Sequence, residues 1–430
     1  MFPWREFGLL ALRSFGEAFT YPPALVPLGV MTMLVLWQDV RLAQAEARWA
    51  GRLAPGFWRR LGYSLAYGLL GGVFATAVLS VLGVDLAQAG VMYMLPLALA
   101  FILIDPRLAC FAYAGGIVSL SVLLFGWPHG VSVPSLMALV GVLHLTESAL
   151  IWIAGAETAT PVFVGTHDGR VVGGYSMTQF WLVPLAVILG FQATGGAGTG
   201  SVSMPDWWPI LRPLPEVATA SLVYVLFPTA AAIGYGDVAV SASPEAQARE
   251  TGAHLFLYSA ALVIIAVASQ WWRPLAWVAA LFGPFGHEAL ARLGMGAHRE
   301  GYLWPPVADG VRVLAVDPAS ALAIAGVRPL DIITSVNDVP VGSRLELYEL
   351  LVAFSPLGRL RLAVRRGDQE IAMFVEGPFF GPEWGFVPGP EPGDTPTVVL
   401  RPSEGRLVRW VRRWLGRLFS WRKDGPAREG

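Results

Sequence analysis

The stretch Gly310–Val341, GVRVLAVDPASALAIAGVRPLDIITSVNDVPV, carries the clearest local signals in this chain of 430 residues. β-Branched residues predict one strand over Val311–Val316 and a second over Ile332–Val336. Between the strands, an Asp-Pro turn leads into a short helix of small residues, Ala319–Ala325, which a glycine ends. The second strand stops at the tight turn Asn337-Asp338. This order of strand, helix and strand predicts a small α/β module.

The same order of elements resembles the PDZ domain, in the form common in bacterial proteins. A strand is followed by Asp-Pro-Ala-Ser, then by Ala-Gly-Val, and then by a strand that reads Asp-Ile-Ile and ends in Val-Asn. Many PDZ domains have Gly-Asp before the second strand, whereas Leu330 precedes Asp331 here. The resemblance implies a domain that binds a peptide as an added strand, beside a sheet edge and against a long helix. A generic small α/β module is the alternative.

The rest of the predicted PDZ domain, residues 298–377, supplies candidates for peptide binding. Apolar residues at helical spacing predict the long helix over Ser343–Ser355, and two strands follow it. Leu347, Leu351 and Phe354 are our candidates on that helix. The loop Gly301-Tyr302-Leu303 is the candidate for receiving a peptide carboxylate on its backbone N–H groups, although two prolines interrupt the strand expected after it. The alternative is a groove that is closed, or that packs on the rest of the protein.

Composition indicates that the preceding residues, 1–293, form a membrane domain. Only 14% of residues are charged and 55% are hydrophobic, whereas about 25% are charged in an average soluble protein. The 17 Trp and 33 Pro residues are typical of membrane interfaces and broken helices. The net charge of −1 says nothing about partners, and no motif suggests nucleic-acid binding. Cys110 is the single cysteine, so no internal disulfide can form.

Charge-free runs of about 20 residues predict eight or nine helical spans in a polytopic α-helical membrane domain. Residues 1–20 have charges among Phe, Leu and Trp, which is typical of a helix at the interface. Within the long sixth run only Thr178–Ala193 is convincingly apolar. The predicted spans are Ala18–Gln38, Leu61–Val84, Leu86–Ile104, Leu108–Phe125, Val131–Ala154, Val171–Pro205, Val217–Gly236, Thr251–Trp272 and the shorter Pro274–His287.

The distribution of arginines predicts the orientation of these spans. Five arginines lie in the loop Asp39–Arg60, which marks that loop as cytoplasmic by the positive-inside rule. If the later loops alternate from there, the inner loops hold eight arginines and the outer loops hold Arg212 and Arg273. The PDZ domain is then expected on the cytoplasmic side of the cell membrane.

Beyond the PDZ domain, residues 378–400 form a Pro/Gly-rich linker and residues 401–430 form a basic tail. The segment Arg406–Lys423 predicts an amphipathic helix with Trp on its apolar face, suited to an anionic leaflet. A helix that packs on the PDZ domain is the alternative. The candidate membrane-surface residues are Arg409, Trp410, Arg412, Arg413, Trp414 and Arg417.

A PDZ domain on a membrane protein also suggests an intramembrane zinc protease of the site-2 type. That chemistry needs two histidines one helical turn apart, with a glutamate as general base. Here His287-Glu288 has Ala291 where the second histidine belongs, so we predict no catalytic site, no metal and no cofactor. His287 and Glu288 are expected to cap the last span or to pair with Arg292.

A second pair of ionisable residues lies inside an apolar run, and such residues are costly in a membrane. His144 and Glu147 are three residues apart and therefore share a helix face. A satisfied hydrogen bond between helices explains them better than a metal site does. A transporter with a regulatory PDZ domain stays open, because prolines interrupt several of the predicted spans.

The stretch His144–Leu185, HLTESALIWIAGAETATPVFVGTHDGRVVGGYSMTQFWLVPL, completes the pattern. An apolar helix is followed by a small hairpin, and the chain then re-enters an apolar run. With the Arg-rich loop and the C-terminal PDZ domain, this arrangement resembles the MinJ family over most of residues 20–376. The resemblance implies a non-enzymatic scaffold in the membrane of Gram-positive bacteria, at septa and poles. It also implies two protein partners, MinD and DivIVA, in addition to membrane lipids and peptide termini or internal peptides.

Overall fold

The computed structural model describes residues 2–18, 22–50, 53–105, 108, 110–166, 168–192, 202–215, 222–297, 301–376 and 384–399. A helical region surrounds a pair of long β-strands, and a small sheet domain follows it in the chain. The helices of the first region are α1 (Trp4–Ala18), α2 (Pro22–Ala50), α3 (Phe57–Leu82), α4 (Val91–Ile104), α5 (Phe111–Phe125), α6 (Val133–Ala154), α7 (Pro244–Ala268) and α8 (Pro274–Ala297). Its strands are β1 (Thr160–Gly165), β2 (Val171–Gln192) and β3 (Leu222–Ala239).

Among the described residues, three helices are long and apolar enough to cross a membrane, namely α3, α6 and α7. The helices α4 and α5 are apolar but shorter. Side-chain caps set the starts of two of the long helices, because the hydroxyls of Ser132 and Ser243 accept hydrogen bonds from backbone N–H groups in the first turns of α6 and α7. The helical character predicted for these segments, and for the N-terminal interface segment, is therefore confirmed.

Two of the predicted helical spans, Val171–Pro205 and Val217–Gly236, are wrong as helices. Most of their described residues form the antiparallel pair β2 and β3, in continuous register from Tyr175 opposite Ala239 to Gln192 opposite Leu222. A strand buried on both faces reads as an unbroken apolar run, so its sequence resembles that of a buried helix. The predicted count of eight or nine helical spans is corrected accordingly.

Most of β2 is buried, and its edge away from β3 needs hydrogen-bond partners, because an unpaired backbone group costs several kcal/mol in an apolar medium. The helix α3 supplies them from a stripe at every fourth residue. The contacts are from Arg60 Nη1 to Thr178 O (2.8 Å), from Leu182 N to Ser64 Oγ (3.3 Å) and from Ala186 N to Thr76 Oγ1 (3.0 Å).

Past the end of α3, the loop before α4 continues this pairing. The backbone N–H of Gly190 donates to Asp85 Oδ1 at 3.1 Å, and the N–H of Leu86 donates to the carbonyl of Ile188 at 2.9 Å. A helix and a loop thus take the place of a further strand along this edge of β2.

Two glycines in the same stripe of α3 bring the helix backbone against β2. A Cβ atom at Gly68 would lie 1.9 Å from the carbonyl oxygen of Leu182, and one at Gly72 would lie 2.1 Å from that of Pro184. Neither distance can accommodate a side chain, so glycine is required at both positions. This close approach fixes which residues of β2 lie beside each turn of α3.

The C-terminal domain contains an antiparallel sheet whose strand order is β8-β7-β5-β4-β9. Its core includes Val313, Ile333, Leu347, Leu351 and Leu362, all almost fully buried. The elements are β4 (Val311–Val316), α9 (Ala321–Ile324), β5 (Ile332–Val336), β6 (Val339–Pro340), α10 (Arg344–Phe354), a 3₁₀ turn (Ser355–Leu357), β7 (Arg359–Arg366), β8 (Gln369–Glu376), β9 (Phe386–Pro388) and β10 (Val398–Val399), which pairs with β1.

The strands, short helix and turn predicted for Gly310–Val341 all form. Asn337 and Asp338 take positive φ values of 47° and 66°, as the tight turn between β5 and β6 requires. Leu330, which stands where many PDZ domains have glycine, also takes a positive φ of 78°. The buried carboxylate of Asp331 beside it accepts two hydrogen bonds of 2.7 Å from Arg366 and one from the backbone N–H of Arg328. These bonds hold the loop in a conformation that a leucine rarely adopts.

Candidate functional site

The candidate site is the surface between α10 and the edge strand β9. The strand β9 pairs with β4 on one side and ends the described sheet on the other. The phenyl ring of Phe386 in β9 lies 6.1 Å from the ring of Tyr348 on α10, measured between centroids. A helix beside a sheet edge is the geometry in which PDZ folds receive a peptide as an extra strand.

Two glycines allow β9 to reach this position. Gly385 has a φ of 71°, and a Cβ atom there would lie 2.3 Å from the Cβ of Ser320. Its carbonyl accepts from the N–H of Asp317 at 2.7 Å, and the N–H of Gly389 donates to Arg312 O at 2.6 Å. Both glycines lie in residues 378–400, for which the sequence predicts only a Pro/Gly-rich linker.

The helix α10 presents a different face to solvent from the one selected as a candidate. Leu347 and Leu351 are 0% and 1% exposed and belong to the domain core, against which Phe354 also packs. Leu345 and Val352 are 68% and 61% exposed. With the half-buried Tyr348 between them, these two residues form the solvent-facing apolar stripe of α10 beside β9, which we call the α10 stripe.

The loop Gly301-Tyr302-Leu303 lies against the first region of the chain. The N–H of Leu303 donates to the carbonyl of Val240 at 2.9 Å, and the guanidinium of Arg170 lies 5.5 Å from the Tyr302 ring. The N–H of Leu303 is therefore already paired. The structure places this loop at the junction between the helical region and the C-terminal domain. It is therefore not available there to bind a peptide carboxylate through the N–H of Leu303.

Trp304 continues the same junction. It is 3% exposed, its carbonyl accepts from the N–H of Gly173 at 2.8 Å, and its ring meets that of Tyr175 edge to face at 5.2 Å. The Tyr175 hydroxyl donates to the carbonyl of Leu314 in β4 at 2.6 Å. These contacts join the first residues of β2 to the sheet of the C-terminal domain.

We expect Trp304→Ala to loosen this junction, because truncating a buried Trp costs about 3–5 kcal/mol of local stability. Amide hydrogen exchange followed by mass spectrometry is the measurement. Peptides covering Gly173 and Leu303 should exchange faster in the variant, while peptides covering Leu347 in the core of the C-terminal domain should not. Substitution of the exposed Trp207 is the matched control. Unchanged protection at Gly173 would contradict the docking of the two parts through Trp304.

A second connection runs from the candidate groove to β1. Arg344, the first residue of α10, donates to both carboxylate oxygens of Asp394 (3.1 and 2.9 Å), and its backbone N–H donates to Glu391. Burial opposes ionisation of Asp394, but hydrogen bonds from Arg344 and from the N–H of Glu391 outweigh it and lower the pKa of that carboxyl. Thr397 N then donates to Phe163 O at 2.8 Å, and β10 continues beside β1. The segment after β9 therefore ties the start of α10 to the first region.

The ionisable residues predicted inside apolar segments converge in part. His144 on α6 and His287 on α8 have ring centroids 5.4 Å apart, and Cys110 at the start of α5 lies beside both. Glu288 accepts a hydrogen bond from the hydroxyl of Tyr113 at 2.9 Å. It also forms an ion pair with Arg292 at 2.8 Å, which is the pairing expected from the sequence. Glu147 lies half-buried one turn from His144 on α6.

The structure adds residues to the candidate site that the sequence analysis did not select. It does not describe the basic tail. The sequence reasoning did not select Phe386 or the α10 stripe, and the aromatic and β-branched residues of Trp-Gly-Phe-Val within the linker are the local signal for β9. Cys110 was noted only as a lone cysteine, since nothing local links it to two distant histidines. The basic tail, with its candidate residues Arg409, Trp410, Arg412, Arg413, Trp414 and Arg417, lies outside the described residues.

Comparison with known proteins agrees with this architecture. A family model described as a PDZ domain matches residues 292–376. The cell division topological determinant MinJ of Bacillus subtilis (strain 168) is 24% identical over 364 residues, which cover 80% of this chain and 86% of that protein. The resemblance expected from the sequence is thereby confirmed.

Proposed function

We propose that this chain is a membrane scaffold of the MinJ family, and that it serves cell division by capturing peptide segments of partner proteins at its PDZ domain. The observation that supports the proposal most directly is the α10 stripe beside the edge strand β9. Its exposed leucine and valine have no packing role within the described domain, and a peptide strand added to β9 would cover them.

Partners in this proposal are the division-site proteins MinD and DivIVA, as the family resemblance implies. The MinJ protein is named a topological determinant of cell division, which supports a role in placing other proteins rather than in chemistry. The PDZ domain faces the cytoplasm in this proposal, by the distribution of arginines, and the protein is enriched at septa and poles. Apolar helices hold the scaffold in the membrane, and the basic tail adds contacts to anionic lipids.

Joint substitution of Leu345→Asp and Val352→Asp is expected to abolish peptide capture while leaving the fold intact. Both side chains are more than 60% exposed, so the stability change should stay within about 0.5 kcal/mol for each. Two carboxylates facing β9 would oppose an apolar peptide strand. A fluorescent fusion to the full chain, imaged during growth, should change from enrichment at septa to uniform membrane distribution.

The control is Ile324→Asp, which places the same charge on an 81% exposed apolar residue elsewhere in the domain. It should localise like the wild-type chain. Septal enrichment that survives the double substitution would contradict recruitment through the α10 stripe. Uniform distribution of the wild-type chain itself would contradict the division role altogether.

A further inference from the structure

We propose that Cys110, His144 and His287 form a zinc-binding site where α5, α6 and α8 meet. One ligand atom from each residue lies within 4.8 Å of the other two, a spacing at which all three could bind one metal ion. Residues separated by 34 and 143 positions in the chain contribute to it. The site is independent of the peptide groove, so it goes beyond the scaffold role.

The hydrogen bonds around His144 leave the correct nitrogen free for a metal. Its Nδ1 lies 2.8 Å from the carbonyl of Val140, one turn earlier on α6, and must be the protonated nitrogen because a carbonyl can only accept. The lone pair of Nε2 is therefore directed at Cys110 Sγ, which lies 2.9 Å away. Histidine ligands in metal sites generally donate their second N–H to a carbonyl or a carboxylate in this way.

His287 offers a second imidazole without competing bonds. Its Nδ1 is buried and has no hydrogen-bond partner among the described residues. A buried ring nitrogen without a partner costs free energy unless something binds it. The two tyrosines that pack against this ring direct their hydroxyls elsewhere, Tyr113 to Glu288 at 2.9 Å and Tyr258 to Gly283 O at 2.7 Å.

The donor set selects the kind of metal. One thiolate and two imidazoles are borderline-soft ligands that suit Zn²⁺, whereas Mg²⁺ and Ca²⁺ prefer oxygen. In a tetrahedral site with Zn–S near 2.3 Å and Zn–N near 2.0 Å, the sulfur and nitrogen lie about 3.5 Å apart. The present separation of 2.9 Å therefore has to widen by roughly 0.6 Å, a movement that rotation of the Cys110 side chain can supply. Binding releases the thiol proton to solvent.

The position of the site suggests what zinc does there. Cys110 caps the N-terminus of α5, His144 lies within α6, and His287 lies in the helix that leads into the PDZ domain. One ion would therefore fix three helices relative to one another and set the direction in which α8 leaves the first region. With three protein ligands, a fourth position remains for a water or an exogenous ligand.

The test is metal content of the full chain purified in detergent. We expect close to one zinc per chain by mass spectrometry, and at least tenfold weaker zinc affinity in Cys110→Ser and His287→Gln. Substitution with Co²⁺ should give a thiolate-to-cobalt absorption band, which can arise only at Cys110 because the chain has no other cysteine. His254→Gln, on an exposed position of α7, should retain both signals.

Alkylation of Cys110 in the wild-type chain keeps the test valid if a variant fails to fold. Zinc should slow maleimide labelling of the thiol at least tenfold, and a chelator should restore the rate. Absence of both zinc and protection would overturn the proposal. Copper in place of zinc would also overturn the proposal, because the metal would be a different one. An equal loss of zinc in His254→Gln would overturn it as well, because the zinc would then not be bound at Cys110, His144 and His287.

Discussion

Gly68→Ala is expected to destabilise the membrane domain by about 3 kcal/mol, near the upper end for an overpacked core. The added methyl group would lie 1.9 Å from the carbonyl oxygen of Leu182. A flexible side chain could move aside, but here the obstacle is the backbone of β2, held by its pairing with β3 on one edge and by α3 on the other. Relief therefore requires α3 and β2 to separate, which would break the hydrogen bonds that the hydroxyls of Ser64 and Thr76 accept from the backbone of β2.

The matched control is Gly62→Ala, on the same helix, where a Cβ atom would meet nothing within 4 Å. Alanine is favoured over glycine by roughly 1 kcal/mol in a helix interior, so this variant should be unchanged or slightly more stable. Thermal unfolding in detergent should show Gly68→Ala melting roughly 6–12 °C below the control. Equal melting temperatures would show that β2 does not pack on α3 in this register.

The failure to predict β2 and β3 has a physical cause. Within an apolar phase or a protein core, strand and helix are both built from leucine, valine, isoleucine and alanine, and the alternation that marks a half-exposed strand disappears. The stripe Arg60, Ser64, Gly68, Gly72 and Thr76, at every fourth residue of α3, is nevertheless visible in the sequence. It indicates a helix face that needs polar partners and a close neighbour, but it does not say that the neighbour is a strand.

The PDZ domain was predictable because its turns have local causes. Asn337-Asp338 and the Asp-Pro turn each follow from the residues at those positions. In α10 the helical period indicated which residues share a face, but not which face is turned to the core, and Leu347 and Leu351 were assigned to the groove for that reason. The edge strand β9 has only three residues and lies in a segment dominated by Pro and Gly, so its pairing with β4 depends on tertiary contacts alone.

Arg60→Met is expected to cost about 3–5 kcal/mol, because it removes one partner of a buried ion pair. The guanidinium of Arg60 is fully buried, contacts the carboxylate of Glu46 on α2, and donates to Thr178 O in β2 at 2.8 Å. Glu46 also accepts from the hydroxyl of Thr160 in β1 at 2.9 Å. The ion pair between Arg60 and Glu46 therefore connects the helices α2 and α3 to the strands β1 and β2.

The dependence of this loss on pH separates charge from packing. Burial raises the pKa of Glu46 and the charge of Arg60 opposes that rise, so removing Arg60 should raise the pKa further. A carboxyl whose folded pKa lies above its unfolded value of about 4.3 stabilises the fold below that value, and the contribution is lost as pH rises through the folded pKa. The deficit of Arg60→Met should therefore be smaller at pH 5 than at pH 8, as measured by thermal unfolding in detergent.

Two controls complete the comparison. Arg59→Met alters the exposed neighbouring arginine and should change stability by no more than about 0.5 kcal/mol. The double variant Glu46→Gln with Arg60→Met removes both charges, and should recover much of the loss while showing no dependence on pH in this range. A deficit of Arg60→Met that is the same at both pH values would assign the loss to the missing hydrogen bond to Thr178 and to packing. In that case the charge of Glu46 is not what holds α2, α3, β1 and β2 together.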